Sequence, residues 1–159
     1  MTIPYDLKKP LAALKEAIDN VYRETPSLIQ RQGLEQAIVF RIGVNLEPKL
    51  SECGLPSQVV MDCEYNKHLG GIKIIPWNNE KGEKSSRPDL IFHQRNTNSS
   101  NLMIVEFKGW WNTDLDDLKK LKALTDAGGD YKYKLGIFVK LNETKPEYTF
   151  FQNGQEVSE

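Results

Sequence analysis

The chain has 159 residues, of which 39% are hydrophobic and 27% are charged. This length and composition predict one globular domain over residues 1–159 and exclude the disordered and fibrous classes. The formal net charge of -1 counts against binding to nucleic acid through overall positive charge, so any such binding must be local.

Cysteine spacing and hydropathy indicate a reduced, cytoplasmic protein. Cys53 and Cys63 form no CxxC pair and lack the ligand spacing of a zinc site or a disulfide framework. No apolar stretch approaches a membrane span, and residues 1–10 lack the apolar segment of a signal peptide. We therefore expect a protein that its own sequence neither exports nor inserts into a membrane.

Two helices are predicted before the first strand. Over residues 7–22, apolar side chains recur at spacings of three and four, which is the period of one helix face. After a break at Pro26, Ser27 and Gln30 have the spacing of a capping box. This pattern predicts a second helix that runs to about Leu46.

Alternating and apolar runs predict the strands that follow. Residues 58–65 alternate, which predicts a strand with Asp62 and Glu64 on one face. Polar residues 76–87 have no apolar period and are expected to form a mobile connection. Two apolar runs, 90–92 and 102–105, flank a turn-forming segment and predict a hairpin.

The last third of the chain predicts a helix and then a strand. Asp114 begins a segment with an acidic first turn and leucines at spacings of three, which favours a helix. Residues 135–141 predict the last core strand, with a shorter strand possible at 148–151 and a frayed tail at 152–159. The resulting order α-α-β-β-β-α-β predicts an α/β fold with a mixed sheet of four or five strands flanked by helices.

Ionisable residues converge at the end of the second hairpin strand. Glu106 and Lys108 project to one face, while Phe107 between them points to the opposite layer. The hairpin brings Asp89 roughly opposite them. Two carboxylates suit a hard divalent ion such as Mg²⁺ or Mn²⁺, and a lysine beside them can orient or help deprotonate an attacking water.

Two further carboxylates are candidates for this site. Glu35 lies in line with an apolar helix stripe, so its carboxylate either requires a cation or reaches water at the stripe's edge. On the first strand, Glu64 is preferred over Asp62 as a group that completes the site or binds a second ion.

The motifs Arg87-Pro88-Asp89 and Glu106-Phe107-Lys108 resemble the signature of the PD-(D/E)XK nuclease superfamily. The resemblance covers about residues 27–141 and implies a restriction-endonuclease-like core, with the helix in residues 1–25 as an addition. Residues 62–68 look like those of an uncharacterised bacterial group within that superfamily.

The resemblance also implies roles for particular residues. Asp89 and Glu106 would bind Mg²⁺ or Mn²⁺, the Phe107 carbonyl would add a ligand, and Lys108 would position the attacking water. Many members supply a further metal-site glutamate from the helix before the first core strand, which is Glu35 in this sequence.

Contacts to nucleic acid are expected from local basic residues. Arg87 can hold a phosphate or pair with an acidic neighbour. Lys119 and Lys120 belong to residues 118–145, which hold seven lysines against three acidic residues. The alternative for each lysine is an ordinary solvated surface position. Trp110 and Trp111 either stack on bases or pack against the core.

These features predict a metal-dependent nuclease that hydrolyses phosphodiester bonds, in DNA according to the resemblance. One alternative is a catalytically inactive nuclease-fold module or subunit of a larger nucleic-acid-processing or defence system. Another is a structural domain in which Asp89 caps a turn and Glu106 pairs with Lys108. A homodimer is expected if one site per chain cuts two strands.

Overall fold

The computed structural model describes residues 2–65, 67–68, 71–72, 74–76, 83–85 and 87–159. Its helices are α1 (Lys8–Glu24), α2 (Ser27–Gln30), α3 (Glu35–Leu46) and α4 (Asp116–Thr125). Its strands are β1 (Val60–Cys63), β2 (Lys67–His68), β3 (Gly71–Ile72), β4 (Ile74–Pro76), β5 (Glu83–Ser85), β6 (Leu90–His93), β7 (Met103–Gly109), β8 (Leu135–Leu141), β9 (Pro146–Gln152) and β10 (Gln155–Val157). One 3-10 turn precedes α1 at Tyr5–Leu7, and another follows α3 at Glu47–Glu52.

Six strands form the main sheet, in the order β1-β6-β7-β8-β9-β10. Strands β7 and β8 run parallel, whereas the other neighbours are antiparallel. The predicted α/β arrangement with a mixed sheet is confirmed, with six strands in place of four or five. Two separate antiparallel pairs, β2–β3 and β4–β5, lie between β1 and β6 in the sequence.

Helices cover both faces of this sheet. Residues of α1 and α3 pack with Met103, Val105 and Phe107 in one core cluster. Residues of α4 pack with Ile91 and Ile104 in a second cluster. Because successive side chains of β7 alternate between these layers, its even-numbered residues face α4.

The first helix follows the predicted period. Its apolar stripe is buried against α3 and the sheet, and Leu14 and Ile18 are fully buried. No helix in the described part of the chain has the length and apolar content needed to cross a membrane.

The second predicted helix is broken into α2 and α3. The capping-box prediction is wrong, because Pro26 is the N-cap of α2 and no side chain caps it. Between the helices, Gln32 has a left-handed φ of 54°. The amide of Gly33 then donates to the Leu28 carbonyl at 2.9 Å. This break places Glu35 in the first turn of α3.

The predicted hairpin has the register Leu90 opposite Val105. The predicted connection at residues 76–87 contains strand β5, paired with β4. Residue 76 is the last residue of β4, and residues 77–82 and 86 of that prediction lie outside the described residues.

The predicted frayed tail is wrong. Gln155–Val157 within it form β10, which pairs with β9 through Gln155 opposite Gln152 and Val157 opposite Phe150. The side chain of Lys15 on α1 contacts the Glu159 carboxylate. Polar composition did not reveal this strand, because an edge strand is held by backbone pairing and does not require an apolar pattern.

Candidate active site

The end of β7 carries two buried ionisable residues on one face. Glu106 is 2% exposed and Lys108 is 7% exposed, and both face α4 through strand alternation. Phe107 lies in the opposite core, with the residues of α1 and α3. The structure therefore places this triplet as the sequence predicts.

Asp89 lies beside this triplet, immediately before β6. Its Oδ2 accepts a hydrogen bond from the Phe107 amide at 2.7 Å. Because Leu90 pairs with Val105, the hairpin register brings Asp89 opposite Glu106. The two carboxyl groups interact with each other, and this interaction lowers the pKa of Asp89 and raises that of Glu106.

Burial raises the pKa of both carboxyl groups. For Asp89, desolvation raises the pKa to about 6, and the charges of Asp117 and Glu35 add to this effect. For Glu106, desolvation and then the charge of Asp89 raise the pKa well above its usual value. Glu106 Oε1 is buried and has no hydrogen-bond partner in the described part of the chain. A pair of this kind releases its protons readily only when a positive charge replaces them.

Lys108 is held by an aspartate of α4. Its Nζ lies 2.8 Å from Asp117 Oδ2, and Lys120 Nζ lies 2.7 Å from Asp117 Oδ1. Burial opposes a charge on Lys108, but the hydrogen bond and charge of Asp117 outweigh it and raise the lysine pKa. Burial likewise raises the pKa of Asp117, yet the two lysines outweigh it and lower that pKa.

Sequence reasoning missed Asp117 as a member of the site. In the sequence, Asp117 was noted only as one of several acidic residues that suit the N-terminus of a helix. Asp117 lies four residues before Leu121 and seven before Leu124, both of which are buried. The same helix phasing that drew attention to Glu35 would therefore have placed Asp117 on the sheet-facing stripe.

Glu35 reaches the end of β7 from α3. Its Oε1 accepts a hydrogen bond from the Gly109 amide at 3.0 Å. Its charge raises the pKa values of Asp89 and Lys108, so it lies close to both groups. The structure therefore brings Glu35 near the other predicted site residues, with one oxygen engaged by the backbone.

The Glu64 carboxylate is engaged by α3, although the backbone amide of Glu64 donates to the Asp89 carbonyl at 3.3 Å. Its φ of 51° ends the alternation of β1, and its Oε1 accepts a hydrogen bond from Gln36 at 2.7 Å. Asp62 instead accepts hydrogen bonds from Arg95 and contacts His93. The prediction that Asp62 and Glu64 face the same way is therefore wrong.

A cleft of about 160 Å³ opens beside Asp89. Glu64 lies on its wall, as do the exposed ring of Phe40 and the exposed Cys63. Arg87, at the start of the motif, is exposed.

The basic residues expected to meet nucleic acid lie in different environments. Lys119 is exposed on α4. The side chain of Lys120 is only 17% exposed, and its charge lies near Glu106 and Asp89. Lys120 therefore belongs to the ionisable cluster and is not a solvated surface lysine.

The neighbouring tryptophans contact the protein itself. The Trp110 indole donates to the Ile29 carbonyl at 3.1 Å. The ring of Trp111 lies over Gly109, where a Cβ would approach it to 2.4 Å. Their packing favours the structural alternative over base stacking.

Within the described residues, no group of three or more His, Cys, Asp or Glu side chains is arranged to hold a metal ion. A scan against models of protein families found no match to this chain, and neither did a search of curated proteins.

Proposed function

We propose that the protein is a metal-dependent nuclease that hydrolyses phosphodiester bonds, with Asp89 and Glu106 as side-chain ligands of Mg²⁺ or Mn²⁺. The observation that carries the proposal is their buried carboxyl pair. Burial raises both pKa values, the charge of Asp89 raises that of Glu106 further, and Glu106 Oε1 has no hydrogen-bond partner among the described residues. A divalent cation in place of the shared proton would relieve both costs.

The donor set fits a hard cation that retains several waters. The N–H and C=O of one strand residue point to the same neighbouring strand, and the Phe107 N–H bonds to Asp89. We therefore expect the Phe107 carbonyl on the Asp89 side, as a third oxygen ligand. Mg²⁺ commonly takes one or two protein carboxylates and completes its coordination with water and substrate phosphate.

Charge balance supports the same conclusion. The described cluster holds four carboxylates and two lysines, which together carry two negative charges when all of them are ionised. Its members are Glu35, Asp89, Glu106, Asp117, Lys108 and Lys120. One divalent cation would neutralise the cluster without any proton.

The bound ion would polarise the scissile phosphate and lower the pKa of a water molecule. Asp89 and Glu106 would fix its position relative to β7. Lys108 keeps its charge because its pKa is raised, so it acts as a hydrogen-bond donor to water or phosphate oxygen. Of the two roles expected for Lys108, its environment favours orienting the water over deprotonating it.

The substrate is DNA in this proposal because the motifs resemble the PD-(D/E)XK superfamily. The order of α3, β1, β6, β7, α4 and β8, with β7 and β8 parallel, supports a restriction-endonuclease-like core. A homodimer would allow one site per chain to cut both strands.

Cleavage assays test the proposal. Plasmid, single-stranded DNA and RNA are incubated with protein and Mg²⁺ or Mn²⁺. We expect DNA cleavage that falls at least ~100-fold in Asp89→Ala and Lys108→Ala. Asp62→Ala is the matched control, because Asp62 pairs with Arg95 and His93 outside the cluster. Intact DNA with every metal would contradict the proposal.

One observation favours a second candidate, an inactive nuclease-fold module that binds nucleic acid or protein. The described residues include no three-ligand metal group, and Lys108 is paired with Asp117. Calorimetry with Mn²⁺ separates the two candidates. A functional site binds the ion and loses affinity in Glu106→Ala, whereas an inactive module binds no ion in either form.

A further inference from the structure

We propose that Asp117 is the positioning residue of the site, a clamp that holds Lys120 near the Asp89–Glu106 pair and Lys108 at the end of β7. The role of this clamp in cleavage rests on the proposed nuclease function. The clamp itself is a contact of Asp117 with two lysines and can be tested without any substrate.

The geometry assigns one carboxylate oxygen to each lysine. Asp117 Oδ2 lies 2.8 Å from Lys108 Nζ, and Oδ1 lies 2.7 Å from Lys120 Nζ. The side chains of Asp117 and Lys108 are 8% and 9% exposed. Because a buried charge without a partner is strongly destabilising, neither lysine can leave this carboxylate at low cost.

The two lysines lie near different acidic groups of the site. The charge of Lys120 lowers the pKa of Glu106, against the larger effects of burial and Asp89. Lys108 responds instead to Asp117 and Glu35. The cluster therefore holds one cation near the carboxyl pair and a second near Glu35, with Asp117 between them.

The position of Asp117 is fixed by its surroundings. Leu121 and Leu124 anchor α4 in the core one and two turns later. The connection from β7 to α4 is held by Lys140, whose Nζ donates to the carbonyls of Gly109 and Asn112 at 3.2 and 2.7 Å. These contacts hold the start of the connection that leads from the end of β7, where the triplet lies, to α4.

The variant Asp117→Asn tests the clamp, because it keeps the shape of the side chain and removes its charge. Lysine acylation by acetic anhydride is followed residue by residue with mass spectrometry. In the wild-type protein we expect Lys108 and Lys120 to react at least ~10-fold more slowly than exposed Lys119, because burial limits access of the reagent and Asp117 holds both amines in ion pairs. Both should react faster in Asp117→Asn. Asp126→Asn, an exposed change at the end of the same helix, should leave both rates unchanged.

Cleavage kinetics provide the second readout. We expect Asp117→Asn to lower kcat at least ~10-fold with KM within about threefold, as for a group that orients the reacting residues. If that variant does not fold, Lys120→Met replaces it. This change keeps the stem volume, leaves Lys108 on Asp117 and is expected to lower kcat while Lys108 stays protected.

Distinct results overturn the two proposals. Acylation of Lys108 and Lys120 at the Lys119 rate in the wild-type protein overturns the clamp, as do unchanged rates in Asp117→Asn. A raised KM with unchanged kcat also overturns the positioning role. A wild-type protein that cleaves nothing overturns the nuclease proposal alone, and the acylation rates then decide the clamp.

Discussion

The burial of Glu106 lowers the stability of the fold, although the same carboxyl group is a proposed metal ligand. Its side chain is almost completely buried beside another carboxyl group. Desolvation of Asp89 raises its pKa from 3.8 to about 6, so the folded protein retains a proton that the unfolded chain releases. Each such shift is a contribution to the free energy of unfolding that depends on pH.

The sign of this contribution predicts the pH dependence of stability. Below the carboxyl pKa of the unfolded chain, the groups are protonated in both the folded and the unfolded protein, and the buried pair costs little. As pH rises through the higher pKa of the folded protein, the free energy of unfolding falls. Without metal, Glu106→Gln should therefore gain stability relative to wild type as pH rises above the usual carboxyl pKa, including the range up to about 6 over which Asp89 titrates. Urea unfolding at several pH values in chelator measures the difference.

Asp62→Asn is the matched control for that series. The hydrogen bond from Arg95 and the contact with His93 outweigh burial and lower the pKa of Asp62. Its contribution is present above the usual carboxyl pKa and is lost as pH falls through the lowered value. The control should therefore lose stability at neutral pH. Parallel stability curves for wild type and Glu106→Gln would show that the carboxyl pair is not strained.

The break between α2 and α3 determines, at the scale of elements, where Glu35 meets β7. Gly33 permits this break because a Cβ there would lie 2.5 Å from the Leu28 carbonyl oxygen. Gly33 thus controls the position of a residue on the next helix.

Two glycine substitutions compare the break with a position inside α3. Gly33→Ala should lower the free energy of unfolding by about 1–3 kcal/mol, because backbone must move to admit the methyl group. Gly43→Ala meets only Cys63 Sγ at 3.8 Å and Met61 Cε at 3.9 Å, so it should be neutral or gain up to about 1 kcal/mol. Urea unfolding measures both. Equal losses in the two variants would show that the tight turn has no special role.

Local pattern predicted the elements whose geometry is local. The hairpin register follows from two apolar strands and a turn, so it located Asp89 opposite Glu106. Glu64 could not be placed in the same way, because a single left-handed residue at the end of β1 reverses the alternation.

Contacts between side chains of different elements could not be predicted from the sequence in this way. Asp117 meets Lys108 only because α4 docks on β7 and β8, and neither the helix nor the strand specifies that docking by itself. The break before Glu35 likewise depends on packing of α2 and α3. Propensity and period describe each segment, whereas tertiary packing decides how the segments meet.

The C-terminal hairpin completes the sheet at the scale of the whole molecule. Strand β10 covers the edge of β9 through three residue pairs. Phe150 and Phe151 of β9 are buried in the two different cores. The last residues therefore protect a strand that both layers share.

Removal of residues 153–159 tests this role. Loss of three strand pairs should lower the free energy of unfolding by about 1–3 kcal/mol. The free edge of β9 should also favour association between chains. Urea unfolding and size-exclusion chromatography measure the two effects. Glu159→Gln, which removes only the exposed pair with Lys15, should change the stability by less than about 1 kcal/mol. Unchanged stability in the truncated chain would show that β10 is dispensable.

The buried carboxyl pair also bears on how such a chain changes under mutation. Glu to Gln and Asp to Asn each require a single base change, and either one would remove the repulsion between Asp89 and Glu106. Random drift in a chain with no use for the pair would meet these relieving substitutions easily, since proteins sit near a stability threshold. The site is thus a costly trait that selection for stability alone would tend to erase.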